Sequence, residues 1–327
     1  MKILFFIFFI INIFATTGYA QYPEKPINIY VPFAAGGAAD NLMREVAGRM
    51  SIILKQKINI YANNTKLSPV AAVRNSVALP ADGYNFIVGN LGTHGSAPAL
   101  DKMNLRYNPE IDFEPVGMLG ETPLYLVIRQ DLPVDNFQDL VSYLRKYKTG
   151  VTMASAGNGS TAYLAGLYFN SILKITPTII PYTGSDPALK DISYGYVDMM
   201  IDQSTSALPF IQSKLVKGIA YTSRIGRSKN DIALQYRLPS FSQVGLPEFN
   251  ITGWNILFAP RGTNRQQIAV INKALRQALT DKIIQGNLRL KDTIIYPDSE
   301  NSPEALKQFI HQEISRWAEI INIAKQF

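Results

Sequence analysis

The sequence predicts an α/β protein of two lobes, each a mostly parallel sheet flanked by helices. Three observations carry that expectation. Strand-like and helix-like segments alternate along most of the chain, and the alternation restarts near residue 123. An apolar leader leaves about 300 residues, near the size at which one core gives way to two.

Residues 27–31 alternate apolar and polar, the period of a half-buried strand. They end in Pro32-Phe33-Ala34-Ala35-Gly36-Gly37, a turn too rich in Pro and Gly to extend a sheet. Residues 40–54 place Leu42, Val46, Met50 and Ile53 near helical spacing. A strand at 57–62, a helix at 70–78 and a strand at 84–88 complete the first block. The second block opens at 123–129, where Leu124 through Ile128 are all apolar, the mark of a fully buried strand. It continues as helix 137–146, strand 151–154, helix 161–173, strand 178–181, helix 187–194 and strand 197–201. A Ser/Thr-rich turn and a strand at 218–221 close it. A late strand at 256–260 precedes two helices, 265–280 and 303–324. A helical tail of that length is expected to return to the first lobe. Lobe 1 is therefore 21–122 with 252–327, and lobe 2 is 123–251.

The N-terminus reads as an export signal. Lys2 gives a positive start, residues 3–14 are apolar except Asn12, and Gly18-Tyr19-Ala20 has the small-x-small form of a signal-peptidase site. Cleavage after Ala20 is expected, releasing a periplasmic protein. No Cys follows the apolar run, which excludes a lipoprotein anchor. With no Cys anywhere, stability must come from burial alone. Two His and no Cys exclude a structural zinc site and a thiol nucleophile, so neither metal nor cofactor is expected. Once Lys2 is removed, 31 basic residues stand against 25 acidic ones. They are scattered singly rather than striped, which argues against nucleic-acid binding.

The informative residues follow the strands. Ligands of open parallel sheets bind at the carboxyl ends of strands, where helix N-termini present free N–H groups. Four such turns are polar and glycine-rich: 32–37, 89–94, 155–161 and 202–206. Backbone amides there can hold a carboxylate without any Arg. No catalytic constellation accompanies them. Ser160 is outside any G-x-S-x-G elbow, and no phosphate loop or dinucleotide fingerprint is present. His94 has no candidate nucleophile beside it and reads as a hydrogen-bonding loop residue. Asp40 sits where it would stabilise a helix start, and Trp254 and Trp317 read as packing residues.

At this point the sequence resembles a known family. Tyr22-Pro23-Glu24-Lys25-Pro26-Ile27 and Val31-Pro32-Phe33-Ala34-Ala35-Gly36-Gly37-Ala38-Ala39-Asp40 are similar to the opening of the tripartite tricarboxylate transporter receptors, also called the Bug family. Asp82-Gly83-Tyr84, Gly92-Thr93-His94, the stretch 154–160, Pro181-Tyr182-Thr183-Gly184-Ser185, Gly195-Tyr196-Val197-Asp198, and Ala259-Pro260-Arg261-Gly262-Thr263 continue the likeness in order. The resemblance implies a periplasmic-binding-protein type 2-like fold. It further implies a monomeric receptor that closes on a small organic acid, delivers it to integral-membrane permease subunits and catalyses nothing. A periplasmic ligand sensor is the alternative, and a periplasmic hydrolase a more distant one. The ligand contacts it implies are Phe33, Ala34, Ala35, Gly36 and Asp40, then Asn90, Thr93 and His94. Ser155, Asn158, Gly159, Ser160, Thr161, Tyr182 and Asp202 face them from the second lobe. Three departures stand out. The family's glycine-rich segment is replaced by Asn64-Thr65-Lys66-Leu67-Ser68-Pro69-Val70, which brings Lys66 or Ser68 near the ligand. A Ser-Thr pair is replaced by Ala38-Ala39, and the family's Phe-Asp-Asn by Ile201-Asp202-Gln203.

Overall fold

Ile27, Ile29 and Val31 are buried while Asn28 and Tyr30 between them are partly exposed, and these five residues form β1 (Ile27–Val31). A computed structural model describes residues 22–65, 67–100, 103–147, 150–222, 233 and 235–324. The expected leader and Lys66 lie outside the described residues.

β1 is followed by α1 (Ala38–Leu54), which turns Leu42, Met43, Val46, Ala47 and Met50 inward and ends where Lys55 adopts the left-handed region. β2 (Ile58–Ala62), α2 (Pro69–Ser76) and β3 (Asn85–Asn90) follow, and β1 lies between β2 and β3, parallel to both. A single π-helical turn at Leu91–Ser96 and a short α3 (Ala97–Leu100) come next.

β4 (Phe113–Arg129) runs for 17 residues, far beyond the expected 123–129. Its first part pairs antiparallel with β9 (Thr252–Pro260), from Phe113 to Pro123. From Leu124 it pairs with β7 (Met199–Gln203), and from Tyr125 with β8 (Val216–Tyr221), again antiparallel. Between these strands lie α4 (Phe137–Lys146), β5 (Thr152–Ser155), α5 (Thr161–Leu173), β6 (Thr178–Pro181), α6 (Ser185–Ser193) and α7 (Ser204–Gln212). After β9 come α8 (Arg265–Leu279), α9 (Lys282–Leu290) and α10 (Pro303–Ala324).

The strands form one curled sheet in the order β2-β1-β3-β9-β4-β7-β5-β6, with β8 beside β4. The fold is the expected mixed α/β class. Each half has a parallel trio, β2-β1-β3 and β7-β5-β6, while β4 and β9 join them in antiparallel sense. The sheet is thus more evenly mixed than the βα alternation suggested.

Three hydrophobic clusters fill the interior. One packs α1 and α8 on the first trio, with Ile29, Val46, Leu257 and Leu275. Another packs α6 and α7 on β4 and β7, with Val127, Leu189 and Leu208. The third runs under both halves and includes Ile87, Leu126, Phe169, Trp254 and Trp317. Helix α10 packs on the π-helical turn, α3, β4 and α5, so the tail touches both halves. Trp254 and Trp317 are buried as expected, and the Trp254 indole donates to Glu313 at 2.9 Å.

Candidate functional site

The C-terminal ends of the two parallel trios run in opposite senses across β9 and β4, and they meet at a cleft of about 630 Å³. Its walls come from the loop after β1, residues 63–65 and 67–69, Asn90, and the loops after β5, β6 and β7. Five helices begin on this cleft. Ser68 and Ser160 cap α2 and α5 by accepting from the amides of Ala71 and Tyr163, at 3.3 and 3.2 Å. The N-caps of α1, α6 and α7 are Gly37, Gly184 and Gln203, and none makes a side-chain cap hydrogen bond. Their first-turn N–H groups therefore remain as donors, and the helix dipoles add a positive potential at the same point. Among the described lining residues there is no Lys, Arg or His, and Asp202 is the only acid. Anion binding here falls to backbone amides and hydroxyls.

On the first half, Asn90 accepts from the Thr93 amide through Oδ1 at 3.2 Å, and Thr93 Oγ1 accepts from the Asn90 amide at 3.1 Å. This reciprocal cap fixes the π-helical turn and leaves the Asn90 Nδ2 group as the donor next to the cleft. Behind it His94 is fully buried, stacked on Phe258 at 4.1 Å between ring centroids, with Nδ1 2.9 Å from Thr93 Oγ1. Burial pushes the His94 imidazole down to about 3. A group whose folded value lies below its unfolded value of about 6.5 binds fewer protons folded than unfolded between those two values. Stability therefore falls as pH drops from about 6.5 towards 3. At pH 4.5 this group alone should remove about 3 kcal/mol. Urea titrations of wild type and His94→Gln at pH 7.5 and 4.5 should show a smaller acid loss in the variant; equal losses would exclude His94 as the source.

Asp40 lies just behind the first loop. Its Oδ2 accepts from the Gly36 amide and from Arg44 Nε, both at 2.9 Å, so it pins the loop to α1. On the second half, Gly157 and Gly159 take positive φ values of 109° and 76°, which lets the loop turn sharply into α5. The Tyr182 hydroxyl donates to Asp191 at 2.6 Å while the residue lines the cleft. Asp202, the penultimate residue of β7, is fully buried. Burial raises its carboxyl to about 6, against the opposing pull of Ser185, the Gln203 amide and Ser206. Its Oδ2 has no hydrogen-bond partner, and neither do the buried hydroxyls of Ser155, Thr161 and Thr205 nearby in sequence and fold.

Of the residues singled out from the sequence, Phe33, Ala34, Ala35, Asn90, Asn158, Ser160, Thr161, Tyr182 and Asp202 line the cleft. Gly36, Asp40, Thr93, His94, Ser155 and Gly159 stand outside the lining. Sequence reasoning missed Asn63, Gln203 and Ser185 as lining residues; it had flagged the segment holding Asn64, Thr65 and Ser68, which also line it. The signal for Gln203 and Ser185 was present in their place just after strands, but 202–206 was expected to be a turn rather than a strand end and a helix start.

An α/β sheet folded around a cleft that presents helix N-termini is an arrangement suited to holding an anionic solute. A sequence model of the "Tripartite tricarboxylate transporter family receptor" matches residues 42–325. The chain belongs to that family, whose members are substrate-binding receptors of periplasmic-binding-protein type rather than enzymes. It is 29% identical to Protein BugT of Bordetella pertussis over 324 residues, covering 95% of each chain. The structure of MatC from Rhodopseudomonas palustris with bound malate has a TM-score of 0.85, 32% identity, and coverage of 92% of this chain and 100% of that one. R. palustris Rpa4515 with adipate has a TM-score of 0.85 and 27% identity, covering 93% and 99%. Among the described residues no helix is long and apolar enough to cross a membrane, and no three His, Asp or Glu side chains cluster as metal ligands.

Proposed function

We propose that this receptor captures a short dicarboxylate in the cleft and hands it to the membrane permease subunits of a tripartite tricarboxylate transporter. The observation that carries the reading is the set of uncapped helix N-termini on α1, α6 and α7 around one cavity. Malate in MatC and adipate in Rpa4515 set the chemistry of the ligand: a short carbon chain with a carboxylate at each end. The cavity has room for that chain, and Phe33, Leu67 and Tyr182 supply apolar surface for its methylenes.

In the same reading, residues 21–122 with 252–327 form one lobe and 123–251 the other. The change of partners along β4 near Pro123 and Leu124 supports that division. The direct contacts are Phe33, Ala34, Ala35, Asn90, Asn158, Ser160, Thr161, Tyr182 and Asp202, with the remaining sequence candidates holding these in place. The chain is exported, cleaved after Ala20, and acts as a monomer. Titration calorimetry and thermal shift on residues 21–327 with malate, succinate and adipate test the reading. One of these should bind with 1:1 stoichiometry, and at a hundredfold excess over Kd it should stabilise the fold by about 2.7 kcal/mol. If no carboxylate binds or raises the Tm, the reading fails.

A further inference from the structure

Among the described residues lining the cleft there is one acid, Asp202. Asp202 is fully buried near the end of β7, lines the cavity, and carries an Oδ2 atom with no partner. No described basic side chain lines the cavity to neutralise it. A dicarboxylate entering beside an ionised Asp202 would place like charges together in a dry site, which is strongly unfavourable.

We propose that Asp202 is a specificity-determining residue that binds the ligand as a neutral carboxylic acid, donating its hydroxyl proton in a hydrogen bond to one ligand carboxylate. Each binding event at neutral pH therefore takes up one proton from solvent onto Asp202, and none is transferred to the ligand. This rests on the dicarboxylate reading and specifies how that site recognises its anion.

Burial favours the neutral form over the opposing pull of the Ser185 and Ser206 hydroxyls and the Gln203 amide, and no described neighbouring cation reverses it. Tyr125 on β4 lies opposite Asp202 in register, and its hydroxyl donates to Asp292 at 2.7 Å. Elsewhere on β4, Glu121 is buried with its main chain bridged to Ile294, Arg129 is held by Asp131 and Asp198, and Glu114 is held by Lys307. Helix α6 carries Asp186, paired with Lys190, and Asp191, which accepts from Tyr182. Helix α5 carries Tyr163 and Tyr168 as its only ionisable residues, and β5, β6 and α7 carry none. Across the cleft, Arg44 is bound to Asp40. The described cations of this set are thus each engaged by another carboxylate. Burial lifts the Asp202 carboxyl to about 6 before any ligand adds its own negative charge.

The sign follows directly. Well below about pH 6 the empty site is already protonated, and affinity is flat with pH. Above it, each pH unit should weaken binding about tenfold, because the proton must be taken up. Malate and adipate are suitable probes between about pH 6.5 and 8.5, where their own carboxylates are fully ionised. Calorimetry at pH 7.5 in two buffers of different ionisation enthalpy should give close to one proton taken up per ligand bound. Asp202→Asn, which keeps a donor but cannot titrate, should bind with pH-independent affinity and no proton uptake. Circular dichroism checks that the variant is folded, and the wild-type measurements stand without it. Affinity that is flat or rises with pH, or zero proton uptake, would overturn the proposal while leaving the dicarboxylate reading intact. No binding of either probe at any pH would overturn both.

Discussion

Replacing Gly92 by Ala is expected to weaken ligand binding at least tenfold. Gly92 belongs to the π-helical turn of the first half, and its Cα faces the carbonyl oxygen of Gly159 in the second half. A methyl group there would lie well inside van der Waals contact of that oxygen and 3.3 Å from Asn90 Oδ1. The clash is with backbone rather than with the end of a flexible side chain. Gly92 is not among the glycines with positive φ, so Ala itself adds no backbone strain. The overlap is relieved by moving the two halves, or the loop that carries Gly159, apart. Overpacking of this kind costs about 1–3 kcal/mol, and under the proposed capture of ligand between the halves it burdens the arrangement in which they approach this closely. A ligand that touches both halves must then work against it, at about 1.4 kcal/mol per tenfold in Kd. Calorimetry with malate or adipate reads the affinity, and small-angle scattering reads a larger radius of gyration for the liganded variant. Unchanged affinity would mean that the halves need not approach this closely.

The largest stability effect is expected at Phe258. Its ring is fully buried, stacks on His94, and meets Phe113 edge-on at 6.3 Å between centroids. It also fills the space over Gly89, where a Cβ would lie 2.6 Å from the Phe258 ring. Phe258→Ala removes that support from β3 and the turn that follows. A loss of about 3–5 kcal/mol is expected, from lost burial and from the cavity left behind. Urea unfolding of wild type and variant measures it directly. A loss below about 1 kcal/mol would show that His94 and Phe113 collapse into the space.

Much of this fold was legible because helix and strand periods are local. Residues 137–146, 161–173, 178–181 and 303–324 have the same limits in the sequence reading and in the structure. The misses share a physical cause. In β4, Pro115, Gly117 and Gly120 break the apolar alternation, and the register against β9 shifts at these points, so the strand continues through bulges that look like loop chemistry. Helix α7 begins with Ser-Thr-Ser and contains Pro209, both of which argue for a turn; its apolar Ala207, Leu208 and Ile211 decide otherwise by burial. Helix α9 is short and holds Gly286, and it is started by Asp281, whose side chain accepts from the amides of Ile283 and Ile284. For the site, position after a strand was a sound guide to Phe33, Asn90 and Asp202. It could not separate lining residues from those one layer behind, such as Asp40 and His94, because that depends on which way each side chain turns.

In the proposed reading the receptor meets its anion chiefly with main-chain N–H groups at the starts of α1, α6 and α7. Every residue type except proline carries such a group, so most substitutions along these loops leave the attraction for a carboxylate in place. What substitution does change is the shape and polarity of the space between those donors, through side chains such as Leu67, Ala38, Ala39 and Gln203. Selection can therefore exchange one cargo for another by small steps that never pass through a receptor unable to hold an acid. Such a route is open to a chain that shares 32% of its residues with MatC over a common architecture.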